Sequence, residues 1–141
     1  MPIIFHQADI KFRVPDSAGL KLFIERHVKK EIGKKVDLSY VFCSDKFLLD
    51  INRRFLKHDF YTDIITFPLE QDEKAIKAEI YISVDRVKEN AATLKTHLKQ
   101  ELRRVIFHGV LHLMGYKDKY KADRVKMRKK EEEWMEGFKK E

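Results

Sequence analysis

Apolar residues recur at helical spacing through Leu20, Phe23, Ile24, Val28 and Ile32, with Asp16 or Ser17 placed to cap that helix and Gly33 to stop it. Ahead of it, residues 2–6 and 9–14 read as two short strands around a polar turn. Val36, Leu38, Tyr40 and Phe42 then alternate as a half-buried strand does. Ser44 caps a second helix through Phe55, whose inner face carries Phe47, Leu48, Ile51 and Phe55. Residues 62–69 are rich in β-branched and aromatic side chains and end in a strand terminus at Pro68. A charged connection beginning at Gln71 leads to a strand over 78–83, where Ile80 and Ile82 alternate with Glu79, Tyr81 and Ser83. Ser83 or Asp85 caps a helix to about residue 96, another spans about 98–114, and a last one covers roughly 120–138. Val125, Met127, Trp134, Met135 and Phe138 are available to pack that last helix. The order predicts an α+β (mixed α/β) fold in which a small mixed β-sheet is flanked by helices, as one domain over residues 1–141.

A chain of 141 residues with 43% hydrophobic residues, 5 Gly and 3 Pro is neither collagenous nor of low complexity, and its apolar positions exclude wholesale disorder. The single Cys43 rules out an internal disulfide and a multi-cysteine zinc site, and fits a cytoplasmic compartment. No apolar run approaches the roughly 18 to 20 residues that cross a bilayer, and the first residues lack a signal core, so no membrane partner is expected. The net charge of +7 gathers in segments 11–35, 86–104 and 117–141, whereas 36–73 is acidic. Such faces attract polyanions, and they serve equally well as solvated surface.

Candidate chemistry concentrates in VIFHGVLHLMGYKDK at 105–119. His108 and His112 lie four apart, one helical turn above each other, close enough to grip one metal ion. Val105, Ile106, Phe107, Val110, Leu111, Leu113 and Met114 surround them, so the helix is expected to be mostly buried and its imidazoles to need partners. Gly115 can end the helix in a left-handed turn that brings Asp118 back toward the histidines. Two imidazoles, one further donor and room for water make a catalytic zinc pattern. The competing reading makes His108 and His112 core residues satisfied by the backbone. A peptidase helix of the H-E-x-x-H type would place a general base where Gly109 stands, which weakens that reading. Gly109 is instead expected to clear space beside His108 for a substrate backbone.

The chain resembles the YbeY metal-dependent endoribonucleases, or rRNA maturation factors. Their hallmark H-G-x-L-H-L-x-G-Y-D-H is matched by His108, Gly109, Leu111, His112, Leu113, Gly115 and Tyr116, and the Met and Glu that follow in the family fall on Met127 and Glu131. Upstream, INRRFLKHDFYTDIITFP resembles the family segment L-N-x-x-Y-R-x-x-D-x-x-T-D-V-L-S-F-P through Asn52, Phe55, Asp59, Thr62, Asp63, Phe67 and Pro68. AEIYIS resembles G-D-I-x-I-S, with Glu79 in place of the acid. The likeness covers residues 36–135.

Two departures fall on functional positions. Without a gap, the family's third metal-binding His corresponds to Asp118 and its Asp to Lys117. With one inserted residue, Lys119 would replace the ligand instead; a carboxylate is a competent donor and an ammonium is not, which favours the ungapped register. At Leu56 the family usually carries an Arg implicated in catalysis or RNA contact. The resemblance implies a zinc-hydrolase-like metal helix and cleavage of single-stranded RNA in 16S rRNA 3′-end maturation and ribosome quality control. It also implies Zn²⁺ on His108, His112 and Asp118, a site that the Asp118 carboxylate makes open to Mn²⁺ or another divalent ion as well. Ribosomal RNA and the ribosome or its proteins would be the partners, not DNA. His58 is the candidate general base. The alternative is a ribosome- or RNA-associated binding protein with a structural metal, supported by Leu56; a zinc peptidase stands third.

Overall fold

The computed structural model describes residues 2–70 and 72–141, leaving Met1 and Gln71, the start of the charged connection, outside the described residues. Four strands form one sheet in the order β1-β2-β4-β3: β1 (Ile3–Gln7), β2 (Lys35–Cys43), β3 (Ile64–Pro68) and β4 (Ala75–Ser83). The first three in that order are parallel, with Ile3 opposite Leu38 and Tyr40 opposite Ile80, and β3 closes the edge antiparallel, Ile64 opposite Ile82. Parallel neighbours need a crossover, and α1 (Ser17–Ile32) supplies it between β1 and β2. The sheet is mixed, as the order of elements predicted.

The two long central strands bury every second residue on one face. Val36, Leu38, Tyr40 and Phe42 from β2 join Ile76, Ala78, Ile80 and Ile82 from β4 against Leu20, Phe23, Ile24 and Val28 of α1. Leu102, Val105, Ile106, Phe107, Val110 and Leu111 of α4 (Leu98–Leu113) fill the same core, and α5 (Lys121–Lys139) adds Met127 and Trp134. The Tyr40 hydroxyl donates to the Ile106 carbonyl at 2.9 Å, so the one buried phenol of β2 is satisfied by the helix above it. The opposite face is thinner: Cys43, Leu48, Ile51 and Ile65 form a small cluster under α2 (Asp45–Ile51). α3 (Val84–Thr93) bridges toward α4. Ser44 and Ser83 cap α2 and α3 by accepting from the amides of Phe47 and Arg86, both at 3.1 Å.

Several expectations are corrected. Residues 9–14 form no strand. Phe12 tilts against Phe42 and Ile10 packs on the core, so their alternation reflects one buried side without a partner strand. Asp9 in that segment accepts from the Ser44 amide at 2.9 Å and pins the loop across the end of β2. Asp16 stands at the α1 N-cap position in a left-handed conformation with φ 56, and its carboxylate binds Arg103 of α4 instead of capping. The second helix does not run regularly to Phe55: after Ile51 it widens into a π-helical turn over Asn52–Leu56, which swings Phe55 out to 68% exposure. Val125 also faces solvent. Gly109 clears nothing for a substrate, because a Cβ there would meet Ile64 Cδ1 at 3.0 Å and Ile80 Cγ2 at 3.3 Å. Its smallness brings α4 down onto the sheet.

Candidate functional site

α4 ends at Leu113, and the chain turns back through Gly115 at φ 112, a conformation that favours glycine. The turn returns Asp118 to His108, with Oδ2 3.2 Å from Nε2. A cleft of about 570 Å³ opens beside them, lined by His108, His112 and Asp118 on one side and by Asn52, Leu56, His58, Phe60 and residues of β3 on the other. The structure therefore brings all four sequence-predicted site residues to one cavity, with His58 stacked on Phe60 at a centroid distance of 5.1 Å.

Each histidine on α4 is held from behind. His108 Nδ1 lies 2.6 Å from Glu131 Oε2, and His112 Nδ1 lies 3.1 Å from the Tyr116 carbonyl oxygen. A carbonyl and an ionised carboxylate only accept, so Nδ1 carries the hydrogen in both rings and Nε2 is the free nitrogen. In the neutral ring, His108 Nε2 then aims a lone pair at an oxygen of Asp118. Two lone pairs at 3.2 Å repel unless a cation lies beside them. Although burial opposes the imidazolium, Glu131, Asp118 and Asp63 raise the His108 pKa above its ordinary 6.5. The donor chemistry fits a divalent ion as well. Among the described residues, however, no three histidine, cysteine or carboxylate groups are already drawn around one point as a finished metal cage.

Behind His108, α4 turns a charged stripe toward α5. Arg104 donates through Nε to Glu101 at 2.8 Å, closes a second bond to the same carboxylate, and reaches Glu131 at 3.2 Å. The family resemblance singled out Glu131 without giving it a role, and Glu101 and Arg104 were missed. The available signal was the spacing of Glu101, Arg104 and His108, which puts three polar groups on one face of the helix. Asp63 sits in the same region with its carboxyl pKa raised by burial against the pull of Arg104 and His108, and accepts from Asn90 at 3.2 Å. Leu56 is 40% exposed at the cleft, where the resemblance leads one to expect an Arg.

Residues 5–139 match the family model described as Endoribonuclease YbeY. The Endoribonuclease YbeY of Cytophaga hutchinsonii is 44% identical over 130 residues, 92% of this chain and 91% of that protein. That of Karelsulcia muelleri is 37% identical over 138 residues, 98% of this chain and 97% of its own length. The solution structure of TM1509 from Thermotoga maritima superposes with a TM-score of 0.65 at 28% identity, covering 96% of this chain and 89% of that one.

Proposed function

This chain belongs to the endoribonuclease YbeY family, and from that premise we propose that it cleaves single-stranded RNA at a divalent ion held by His108, His112 and Asp118. The work served is 16S ribosomal RNA 3′-end maturation and ribosome quality control, in the cytoplasm and in contact with the ribosome or its proteins. The observation that supports the metal reading is the Asp118 carboxylate 3.2 Å from His108 Nε2, with the ring's other nitrogen engaged by an acceptor. Zn²⁺, or a harder ion such as Mn²⁺ suited to the carboxylate, would supply Lewis acidity toward a phosphoryl oxygen. The chain's own part is to orient. Glu131 and the Tyr116 carbonyl fix the two rings, and the Gly115 turn sets Asp118. His58 lines the opposite wall of the cleft, and in this reading it is the group that would hold or move a proton.

Leu56 favours a second reading, an RNA-binding protein with a structural metal and weak cleavage, because an exposed Leu cannot clamp a phosphate. Metal-loaded protein incubated with labelled structured RNA and with casein, beside Asp118→Ala, separates these. RNA cleavage lost in the variant is expected; RNA binding without cleavage in the parent supports the second reading, and casein cleavage overturns both. Asp118→Ala is expected to lose metal, whereas Asp118→His keeps it and shifts preference toward Zn²⁺. Metal titration of both variants checks this, and parent-like affinity in Asp118→Ala removes Asp118 from the ligand set.

A further inference from the structure

Glu131 and Glu101 are each 2% exposed, a placement carboxylates accept only with partners. Glu131 accepts from Arg104 Nη1 at one oxygen, at 3.2 Å, and meets His108 Nδ1 with the other, at 2.6 Å. Arg104 is itself engaged by both oxygens of Glu101. Glu101, Arg104 and His108 lie at intervals of three and four along one face of α4, and α5 presents Glu131 to that face. With a permanently charged guanidinium at one oxygen and the ring nitrogen at the other, Glu131 is an acceptor at both.

We propose that Glu131 is a positioning residue: it fixes His108 as the Nδ1–H tautomer with Nε2 turned into the cleft, and Arg104, backed by Glu101, holds Glu131 to that task. The consequence for metal binding rests on the reading given above, but the tautomer itself exists without a metal.

Glu131→Gln makes the test sharp because it keeps the shape and leaves one acceptor where two donors meet. Arg104, permanently charged, takes the amide oxygen. The amide NH₂ then faces His108 Nδ1, which must accept, so the ring's hydrogen moves to Nε2 and caps the nitrogen in the cleft. Ring ¹⁵N chemical shifts of His108, recorded on the metal-free protein at a pH where the ring is neutral, read this directly. The parent is expected as Nδ1–H and E131Q as Nε2–H, with Zn²⁺ affinity falling about 10- to 100-fold. An Nε2–H parent, or an E131Q ring like the parent's, overturns the proposal.

Should E131Q fail to fold, Glu131→Asp keeps the charge, withdraws the oxygens by one methylene, and is expected to give mixed tautomers; a parent-like ring there overturns it too. Glu31→Gln is the control for mere docking of α5, since Glu31 accepts from Trp134 Nε1 at 2.9 Å and from Lys130 Nζ at 2.7 Å. It should lower Tm and leave the His108 tautomer alone, and a tautomer change there would mean that the ring only follows packing. If the parent is Nδ1–H, E131Q flips it, and neither Zn²⁺ nor Mn²⁺ binds the parent, the metal reading falls while the positioning role stands.

Discussion

The cleft has two walls held by opposite means. On one side α4 rests in the core along most of its length, and its half-buried His108 is tied through Glu131, Arg104 and Glu101 to a second helix. On the other, residues 52–62 leave the helix through a π-helical turn and expose Phe55, Phe60 and Tyr61. That wall is tied by few bonds: Asn52 Nδ2 donates to the Phe60 carbonyl at 2.9 Å, and Arg53 pairs with Asp59 at the surface. An exposed pair of that kind is worth less than about 1 kcal/mol. The contrast separates two requirements of one site. His108 thus sits on the wall that cannot give, while the wall that carries His58 exposes apolar area and can adjust.

The largest break in this contrast lies within α4 itself. His108→Ala deprives buried Glu131 of a partner and should cost about 3 kcal/mol of stability, whereas exposed His112→Ala should change it by no more than about 0.5 kcal/mol. Both should lose metal. Denaturant melts of the two metal-free variants beside the parent check the difference, and equal costs would mean that the network behind His108 does not carry load.

Acidity sharpens the same point with a smaller effect. The His108 pKa is raised above 6.5, so its contribution is fully present below that value and is lost as pH rises through the folded pKa. The Glu131 pKa is lowered below 4.5, so its contribution is present above that value and is lost as pH falls through the folded one. The pair should therefore add most to metal-free stability between 4.5 and 6.5. Melting curves across that range should show a maximum that His108→Ala flattens.

The smallest effect is expected on the adjustable wall. Leu56→Arg should leave stability within about 0.5 kcal/mol and add one phosphate contact. The plot of log affinity for a single-stranded RNA against log salt should then steepen by roughly one unit. An unchanged slope would place Leu56 away from the backbone of the bound strand.

What could be read in advance divides along the same line. The helix of His108 and His112, its stop at Gly115 and the return of Asp118 follow from local rules of spacing and turn chemistry, and the structure puts them where those rules say. The role of Glu131 does not, because nothing local tells which of several acidic residues on a charged helix will meet a ring 23 positions away. Gly109 was misread for a related reason. Its neighbours along the chain are on α4, but the atoms that demand its smallness, Ile64 Cδ1 and Ile80 Cγ2, come from the sheet. Phe55 shows a third limit, since a helical period continued across the π-turn predicts an inner face that the widened turn rotates outward.

Cys43, under the thinner face of the sheet, supplies a clock for the whole fold. Burial, with Asp9, Asp45 and Asp85 adding repulsion, pushes its thiol up to about 12, and the side chain is fully enclosed. Thiolate is the reactive form, so alkylating reagents must wait for the protein to open. The rate at which iodoacetamide consumes this lone thiol thus counts openings of the chain, without any introduced label. When closing outpaces alkylation, a variant losing about 3 kcal/mol through global unfolding should be modified roughly two orders of magnitude faster. The same mass-spectrometric time course can then rank every substitution above at physiological temperature and without denaturant, against a change in the chain that is otherwise silent.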